Sequence, residues 1–247
     1  MTLRSTSKAL LVLAGLQVAA SSAASAQHLH GVLELFTSQG CSSCPPADVL
    51  ASRFAHDPTL LVLSYPVDYW DYIGWKDTLA APIYTARQKA YAESNGTGEV
   101  YTPQIIVNGL TDVVGSDVAA IQKAERETAR RGDVLSVPLS VVERDGKIEI
   151  AIGDAGAGEP IAAGVFLVAV ARSRTVDIQR GENAGSTLTY ANVVRAMVKI
   201  GDWNGSAAKF EADLAQARAD GADSYAVIVQ KGGRARPAAI LAAARGP

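Results

Sequence analysis

The stretch "ELFTSQGCSSCPPAD", Glu34–Asp48, contains Cys41 and Cys44, the only two cysteines of the 247-residue chain. The apolar run Gly31–Phe36, which overlaps its start, predicts a buried strand. The residues that follow, Ala47–Phe54, carry apolar side chains at helical spacing and predict a helix. The cysteines are therefore expected at a strand-to-helix turn. Their flanking elements and the compartment decide between a structural clip, a metal site and a redox pair.

The first 26 residues have the organisation of a secretory signal peptide. Arg4 and Lys8 form a short basic start, the apolar run Ala9–Ala20 follows, and small residues lead to a cleavage site expected after Ala26. A membrane anchor is the alternative, but a run of twelve apolar residues is shorter than the ~20 that span a bilayer. We therefore expect a periplasmic or secreted protein with no membrane span after cleavage, in a compartment where disulfides persist.

The predicted mature chain is mildly acidic. Cleavage removes two of the 23 basic residues and none of the 25 acidic ones, which leaves 21 basic residues against 25 acidic ones and a net charge of −4. A nucleic-acid-binding protein needs a basic surface, so no nucleic-acid partner is expected. The remaining 221 residues are enough to bury two cores.

The chain divides into two regions of different pattern. Residues 31–131 predict the element order β-α-β-α-β-β-α, with a hairpin at Asn108-Gly109 between the last two strands. After residue 132 the pattern changes to short strands separated by turns, with a buried strand at Ala162–Ala171. These patterns predict an α/β domain over residues 27–132 and an all-β, immunoglobulin-like sandwich domain over residues 133–247.

A redox function would give the two cysteines different roles. The thiolate is the reactive form of cysteine, and its usual pKa of ~8.5 falls at a helix N-terminus or in a CxxC sequence. Cys41 is expected where the strand ends, with its sulfur facing the free N–H groups of the first helical turn. Cys44 lies one turn later and is better covered. Cys41 is therefore the predicted attacking thiolate and Cys44 the resolving thiol.

Two other interpretations of the cysteine pair stay open. A structural disulfide is possible, although a bridge that closes so short a loop gains little entropic stabilisation. A metal site needs about four ligands. Cys41 and Cys44 supply two, and His28 and His30, on one face of an extended segment, are the candidates for a Cys2His2 site. A redox pair is favoured over both, with no metal or other cofactor.

The segment between residues 66 and 80 is rich in aromatic side chains, in a chain with only 6% aromatic residues. Core packing under a connection is one interpretation of Tyr69, Trp70, Tyr72 and Trp75. The other is an apolar wall beside the cysteines that receives an unfolded peptide, with Trp70 as a substrate-binding residue. The later polar turn "RGENAG", Arg180–Gly185, is interpreted as a loop of the sandwich rather than a site.

The first region resembles the thioredoxin superfamily, and most of all its exported thiol–disulfide oxidases and isomerases. The resemblance rests on Cys41-Ser42-Ser43-Cys44 after a strand, Thr102-Pro103 before the third strand, and the hairpin at Asn108-Gly109. It implies a thioredoxin-like fold in which Pro103 is cis and faces the cysteines. Thr102 and Pro103 are then expected to bind an extended substrate peptide.

The chain departs from thioredoxin at several positions. Gly40 stands where thioredoxin has an aromatic residue, and Ser42-Ser43 replace Gly-Pro between the cysteines. Thioredoxin buries an acid in its first strand as a proton relay. Glu34 lies near that position, seven residues before Cys41, and is the candidate proton acceptor. It is otherwise an edge or capping carboxylate.

A resemblance that spans nearly the whole mature chain is to an exported bacterial family labelled domain of unknown function 1223. The stretches that carry it are "ELFTSQGCSSCPPAD", "VDYWDYIGW", "VYTPQIIVNG" and "RGENAG". It implies a thioredoxin-like domain plus a β-sandwich, and it implies no activity.

The sequence therefore predicts an exported thiol–disulfide oxidoreductase that acts on protein thiols through its CxxC pair. Its attacking thiolate forms a mixed disulfide that the second thiol resolves. The alternative is a non-enzymatic binding module for an unknown exported partner, in which the cysteines are a static disulfide or metal ligands.

Overall fold

A computed structural model describes residues 29–156 and 161–246 of the chain. The predicted signal peptide lies outside these residues. Within them no helix is long and apolar enough to cross a membrane. The elements are, in chain order, β1 Gly31–Thr37, α1 Pro45–Phe54, β2 Leu60–Pro66, a 3-10 turn Asp71–Ile73, α2 Pro82–Ser94, β3 Gln104–Val107, β4 Thr111–Val114, α3 Val118–Ala129, β5 Leu139–Arg144, β6 Lys147–Ile152, β7 Ala163–Asp177, β8 Thr187–Trp203, β9 Ala208–Asp213, α4 Leu214–Ala217, a 3-10 turn Ala219–Gly221, β10 Ser224–Lys231 and β11 Ile240–Arg245.

The order of elements predicted for residues 31–131 is confirmed. The β3–β4 hairpin turns at Asn108 and Gly109, whose φ angles are 54° and 74°, the left-handed values that an Asn-Gly turn requires. The segment Lys209–Ala219, whose sequence fits a strand or a helix, contains both: the end of β9 and then α4.

The predicted immunoglobulin-like sandwich, and with it the fold class of a thioredoxin-like domain followed by a separate sandwich, is wrong. The described residues form one mixed sheet of eight strands, in the order β11-β10-β7-β8-β2-β1-β3-β4, and a small antiparallel sheet, β5-β6-β9. The join is β8, which lies parallel to β2 at Ser64 and Val193. The Ser64 hydroxyl donates to the Ala191 carbonyl oxygen across the same join at 2.8 Å. The predicted boundary near residue 132 stays a prediction.

The apolar run of β7 explains the error. Val165 and Leu167 pack in a core with the small sheet, whereas Val168 and Val170 pack in the core on the other side with residues of α2. A strand that is covered on both faces has an uninterrupted apolar sequence, whereas a sandwich strand alternates. The sequence Ala162–Ala171 therefore describes a central strand with a layer on each side.

One core cluster unites the two regions of the chain. It contains Phe36 of β1 and Tyr65 of β2 together with Val168 of β7 and Ile228 of β10. The rings of Phe36 and Tyr65 stack at 5.4 Å. The Tyr84 hydroxyl on α2 donates to the Val194 carbonyl oxygen of β8 at 2.7 Å. The first half of the chain thus buries its large aromatic side chains against the second half.

A buried ion pair lies in the same cluster. Arg87 of α2 donates through Nε to Glu34 Oε1 at 2.8 Å and through Nη2 to Gln230 Oε1 of β10 at 3.0 Å. The Tyr91 hydroxyl donates to the other oxygen of Glu34, and the Arg87 guanidinium lies over the Tyr91 ring at 4.9 Å. Both charges are almost fully buried, so each depends on the other for compensation.

We expect a fragment of residues 27–132 not to fold on its own. The cut removes β8 from the edge of β2 and exposes the apolar faces of Phe36 and Tyr65 to water, which costs about 25 cal/mol per Å² of apolar surface. Urea unfolding followed by circular dichroism, with the mature chain 27–247 as the control, measures this. A cooperative transition of the fragment would contradict the expectation and support an independent first domain.

Glu34→Gln is expected to lower the free energy of unfolding by about 3–5 kcal/mol, because it leaves the buried Arg87 charge uncompensated. The matched control is Glu127→Gln, which removes an exposed i,i+4 pair with Lys123 worth about 0.5 kcal/mol or less. Urea unfolding at one pH compares the two variants. Equal effects of the two substitutions would show that the buried pair contributes no more than the exposed one.

Candidate active site

The two cysteines form a disulfide at the turn between β1 and α1. Their Cα atoms are 5.4 Å apart, and Cys44 is the residue that precedes the first helical position of α1. Cys41 is 1% exposed and Cys44 is 0% exposed, whereas Ser42 and Ser43 between them are exposed. The disulfide thus lies just beneath the surface, and Ser42 and Ser43 cover it.

The start of α1 offers fewer free N–H groups than are predicted for the strand-to-helix turn. The first two helical positions are Pro45 and Pro46, which have no N–H. The next two N–H groups, of Ala47 and Asp48, both donate to the Cys44 carbonyl oxygen. A thiolate at Cys41 would therefore rely more on its neighbours than on free N–H groups of the helix.

Thr102 lies against Cys41, in the position that the resemblance to thioredoxins implies. The Thr102–Pro103 peptide bond is cis. The Thr102 carbonyl oxygen is 3.7 Å from Cys41 Sγ and accepts a hydrogen bond from the Ser43 hydroxyl at 3.4 Å. Ser43 Oγ is itself 3.4 Å from Cys41 Sγ. A disulfide sulfur carries no hydrogen, so its contact with the Thr102 carbonyl oxygen becomes a hydrogen bond only after reduction to the thiol.

Trp70 is held beside the cysteines by Thr102. Its indole Nε1 donates to Thr102 Oγ1 at 2.7 Å, and its ring stacks on that of Tyr72 at 6.4 Å. Tyr72 is 80% exposed. A Cβ atom at Gly40 would lie 3.1 Å from Trp70 Cβ, so the residue before Cys41 has no room for the aromatic side chain that thioredoxin has there.

Two buried polar side chains fix the loop that leads into Cys41. Asp77 accepts hydrogen bonds from the backbone N–H groups of Gln39, Leu79 and Ala80. The Gln39 side-chain oxygen accepts the indole N–H of Trp75 at 2.8 Å. Burial raises the pKa of the Asp77 carboxyl, and its three backbone hydrogen bonds lower it in part. The aromatic segment therefore both packs under and hydrogen-bonds to the cysteine turn.

The turn "RGENAG" also reaches this site, although its sequence predicts a loop of the sandwich and not a site. The long β7–β8 hairpin ends in residues 178–186, which we call the Asn183 turn. Asn183 Nδ2 donates to the carbonyl oxygens of Gln39 at 2.9 Å and of Cys41 at 3.0 Å. The polar residues between two glycines predict a turn, but they do not indicate which surface of the protein the turn contacts.

Glu34, the predicted proton acceptor, does not face the cysteines. Side chains alternate along a strand. Leu33 and Leu35 pack with Ala47 of α1, whereas Glu34 points to the opposite face of the sheet and pairs with Arg87. Its carboxylate is committed to that ion pair, and α1, which follows the cysteines, lies on the other side.

A different buried acid, Asp48, lies one helical turn after Cys44. Its backbone N–H donates to the Cys44 carbonyl oxygen at 3.1 Å, and residues four apart on a helix have neighbouring side chains. Burial raises the pKa of the Asp48 carboxyl to about 8, while the hydrogen bond from Thr37 lowers it and the nearby Asp77 raises it further. The carboxyl is therefore neutral at pH 7.

The hydrogen bonds of Asp48 are incomplete. The Thr37 hydroxyl donates to Oδ1 at 2.7 Å, but Oδ2 is buried and has no hydrogen-bond partner within the described part of the chain. The Tyr190 hydroxyl of β8 is unpartnered in the same sense. Burial raises the pKa of Tyr190 well above its usual range, and the Asp48 and Asp77 carboxyls raise it further. A buried acid with an unpaired oxygen is unusual and points to a role in chemistry.

The geometry does not support the Cys2His2 site. His30 directly precedes β1, whereas Cys41 follows the other end of that strand, so the seven-residue strand separates them by ~20 Å. His28 lies outside the described residues. Across residues 29–156 and 161–246, no group of three or more His, Cys, Asp or Glu side chains is arranged to hold a metal ion.

Comparisons with known proteins give a family but no activity. The chain matches the family described as "Protein of unknown function (DUF1223)" over residues 32–230. No curated protein matches it. The crystal structure of protein AGR_C_4864 from Agrobacterium tumefaciens is 35% identical, with a TM-score of 0.79 and coverage of 90% of this chain and 96% of that chain. The match to most of the chain shows that the protein belongs to the DUF1223 family.

Proposed function

We propose that this protein exchanges disulfides with protein thiols outside the cytoplasm, through Cys41 and Cys44. The observation that carries the proposal is the buried, incompletely hydrogen-bonded Asp48 carboxyl, one helical turn from a CxxC disulfide. A purely structural bridge has no need of a buried acid with an unpaired oxygen, and burying such a group costs stability. Export follows from the predicted signal peptide and fits a compartment in which disulfides persist.

The exchange begins when a substrate thiolate attacks Cys41 Sγ. The new S–S bond joins the substrate to Cys41, the bond to Cys44 breaks, and Cys44 leaves as a thiolate that takes the proton of Asp48. A second substrate thiolate then attacks the substrate sulfur of the mixed disulfide and releases Cys41 as a thiolate. The substrate has lost two electrons to the cysteine pair. The same steps in reverse reduce a substrate disulfide.

Asp48 is proposed as the group that exchanges this proton, in place of Glu34. A useful general acid or base has a pKa near the working pH, and burial places the pKa of Asp48 at about 8. The Thr37 hydrogen bond occupies Oδ1, which leaves Oδ2 for the proton. The Asp48 side chain lies on the same helical face as Cys44, whereas Glu34 points to the opposite side of the sheet.

Trp70 and Tyr72 supply an apolar surface for the substrate polypeptide. The stacked pair adjoins Thr102, whose carbonyl oxygen is the backbone group that contacts Cys41 Sγ. An exposed aromatic surface next to a reactive group suits an unfolded chain, which presents its apolar side chains. Thr102, Pro103 and Trp70 are the proposed substrate-binding residues.

The near-complete burial of both cysteines favours a second candidate function. A disulfide that is 1% and 0% exposed also suits a static clip in a binding module, because a partner thiol reaches it only after the cover moves. The two functions differ in one measurable property, which is whether the disulfide turns over.

Cys41→Ser is expected to abolish oxidation of a reduced dithiol peptide by the mature protein, because it removes the sulfur that is attacked. Cys44→Ser is expected to retain a mixed disulfide when it is given the disulfide-bonded form of the same peptide. Its Cys41 thiolate attacks the peptide disulfide, one peptide thiolate leaves, and the resolving thiol is missing. Peptide oxidation is followed by mass spectrometry with the Cys41→Ser, Cys44→Ser double variant as the background. A mature protein that oxidises the peptide no faster than this background would establish the static clip.

Asp48→Asn is expected to slow exchange by roughly 10²-fold near pH 7, because the amide neither gives nor takes the proton.

Asp48→Asn is also expected to remove a pH dependence of the free energy of unfolding. Asp48 is protonated below about pH 8 in the folded state but ionises near pH 3.9 when unfolded. Its contribution to the free energy of unfolding is therefore fully present below pH 4 and is lost as the pH rises toward 8.

Urea unfolding at pH 5 and pH 7.5 measures this. The wild-type protein should lose up to about 1.4 kcal/mol per pH unit relative to Asp48→Asn across this range. Asp145→Asn, in the exposed β5–β6 turn where Asn also suits the left-handed φ angle of 49°, is the matched control and should follow the wild type. Parallel curves for the wild type and Asp48→Asn would place the folded-state pKa of Asp48 near its ordinary value.

A further inference from the structure

The side chain of Asn183 bridges two backbone carbonyl groups next to the attacking cysteine. A primary amide has two N–H donors on one nitrogen. Asn183 Nδ2 lies 2.9 Å from the Gln39 carbonyl oxygen and 3.0 Å from the Cys41 carbonyl oxygen, so both donors are used. The acceptors are both carbonyl oxygens, which fixes the orientation of the amide. An acidic or apolar side chain at this position could make neither bond.

We infer that Asn183 is a positioning residue that sets the reactivity of the Cys41 thiolate, an inference that rests on the proposed function. The Cys41 carbonyl oxygen accepts from Asn183 and also from the Cys44 N–H at 3.2 Å. This carbonyl group belongs to the same residue as the thiolate, and hydrogen-bond donors on its oxygen offset part of the negative charge close to the sulfur. This matters here because Pro45 and Pro46 remove two N–H groups that would otherwise stabilise the thiolate.

The Asn183 turn is built to present this side chain. Within it the Ala184 N–H donates to the Gly181 carbonyl oxygen, and the Gly185 N–H donates to that of Ile178. Gly181 has a φ angle of 79°. A Cβ atom there would lie 3.2 Å from Trp75 Cβ, so this glycine permits close packing on the aromatic segment. The turn is therefore held by its own backbone hydrogen bonds and packs closely against the aromatic segment.

A purely structural role would also hold the Gln39–Cys41 backbone in place, but it would leave the acidity of the thiol unchanged. The distinguishing measurement is the pH dependence of Cys41 alkylation by iodoacetamide, in the reduced mature protein and with the modified residue located by mass spectrometry. This measurement needs no substrate, so its outcome is separate from that of the exchange assay.

Asn183→Asp, of nearly the same shape, places an acceptor against both carbonyl oxygens and a negative charge near Cys41. We expect it to raise the apparent pKa of the Cys41 thiol by about one unit or more, with a roughly tenfold lower alkylation rate below that pKa. Asn183→Ala removes the donors without adding charge and should shift the pKa in the same direction by less. Glu182→Gln, an exposed neighbour on the same turn, is the matched control and should leave the Cys41 pKa unchanged.

Circular dichroism and urea unfolding establish which variants fold. A folded Asn183→Ala or Asn183→Asp protein with the wild-type Cys41 pKa would overturn the inference. If neither variant folds, Asn183 is assigned to folding and the inference also fails. A shifted pKa in a protein that exchanges no disulfides would leave the positioning role standing while the proposed function fails.

Discussion

The pairing of β8 with β2 is the constraint on which the rest of the structure depends. Across it, the β7–β8 hairpin and its neighbours β10 and β11 become part of the sheet that carries β1. The first half of β7 is buried on both faces, while the outer end of the hairpin carries the Asn183 turn to the cysteines. One strand contact thus determines both the continuity of the core and the completion of the site.

Two buried acids, Glu34 and Asp48, lie close together in sequence but have opposite environments. Glu34 has a guanidinium and a tyrosine hydroxyl as partners, so its charge is compensated and its role is to tie α2 to the sheet. Asp48 has one hydroxyl donor and no cation beside it, so burial favours its neutral form. The different chemistry of the two groups follows from their places on opposite sides of the sheet: Glu34 points to the side of α2, and Asp48 lies on α1 on the other side.

The cysteine site is assembled from segments far apart in the chain. Thr102 contacts Cys41 from the start of β3, Trp70 bonds to Thr102 from the aromatic segment, and Asn183 reaches across from the β7–β8 hairpin. Thr102 contacts the sulfur of Cys41 and Asn183 its backbone, whereas Trp70 acts through Thr102. The disulfide is therefore covered by three segments, and movement of any of them would change how a thiol approaches it.

Sequence patterns predicted local structure well. The Asn-Gly hairpin, the strand before Cys41 and the helix after Cys44 follow from short-range preferences of the backbone. The contact between Thr102 and Cys41 was also predicted, through a resemblance rather than through periodicity. The prediction of Glu34 as the proton acceptor was wrong. Its distance from Cys41 along the chain does not reveal which face of β1 the side chain occupies, and α1 covers the opposite face.

The sequence by itself determined the CxxC turn between β1 and α1, the order of elements through α3, and the glycines of the Asn183 turn. It did so because propensities and turn preferences act over a few residues. Only the tertiary structure decided that β8 joins β2, that Asp48 rather than Glu34 shares a face with Cys44, and that Asn183 bonds to the Cys41 backbone. These depend on contacts between residues more than a hundred positions apart, or on which face of a sheet is covered, and no local pattern encodes either.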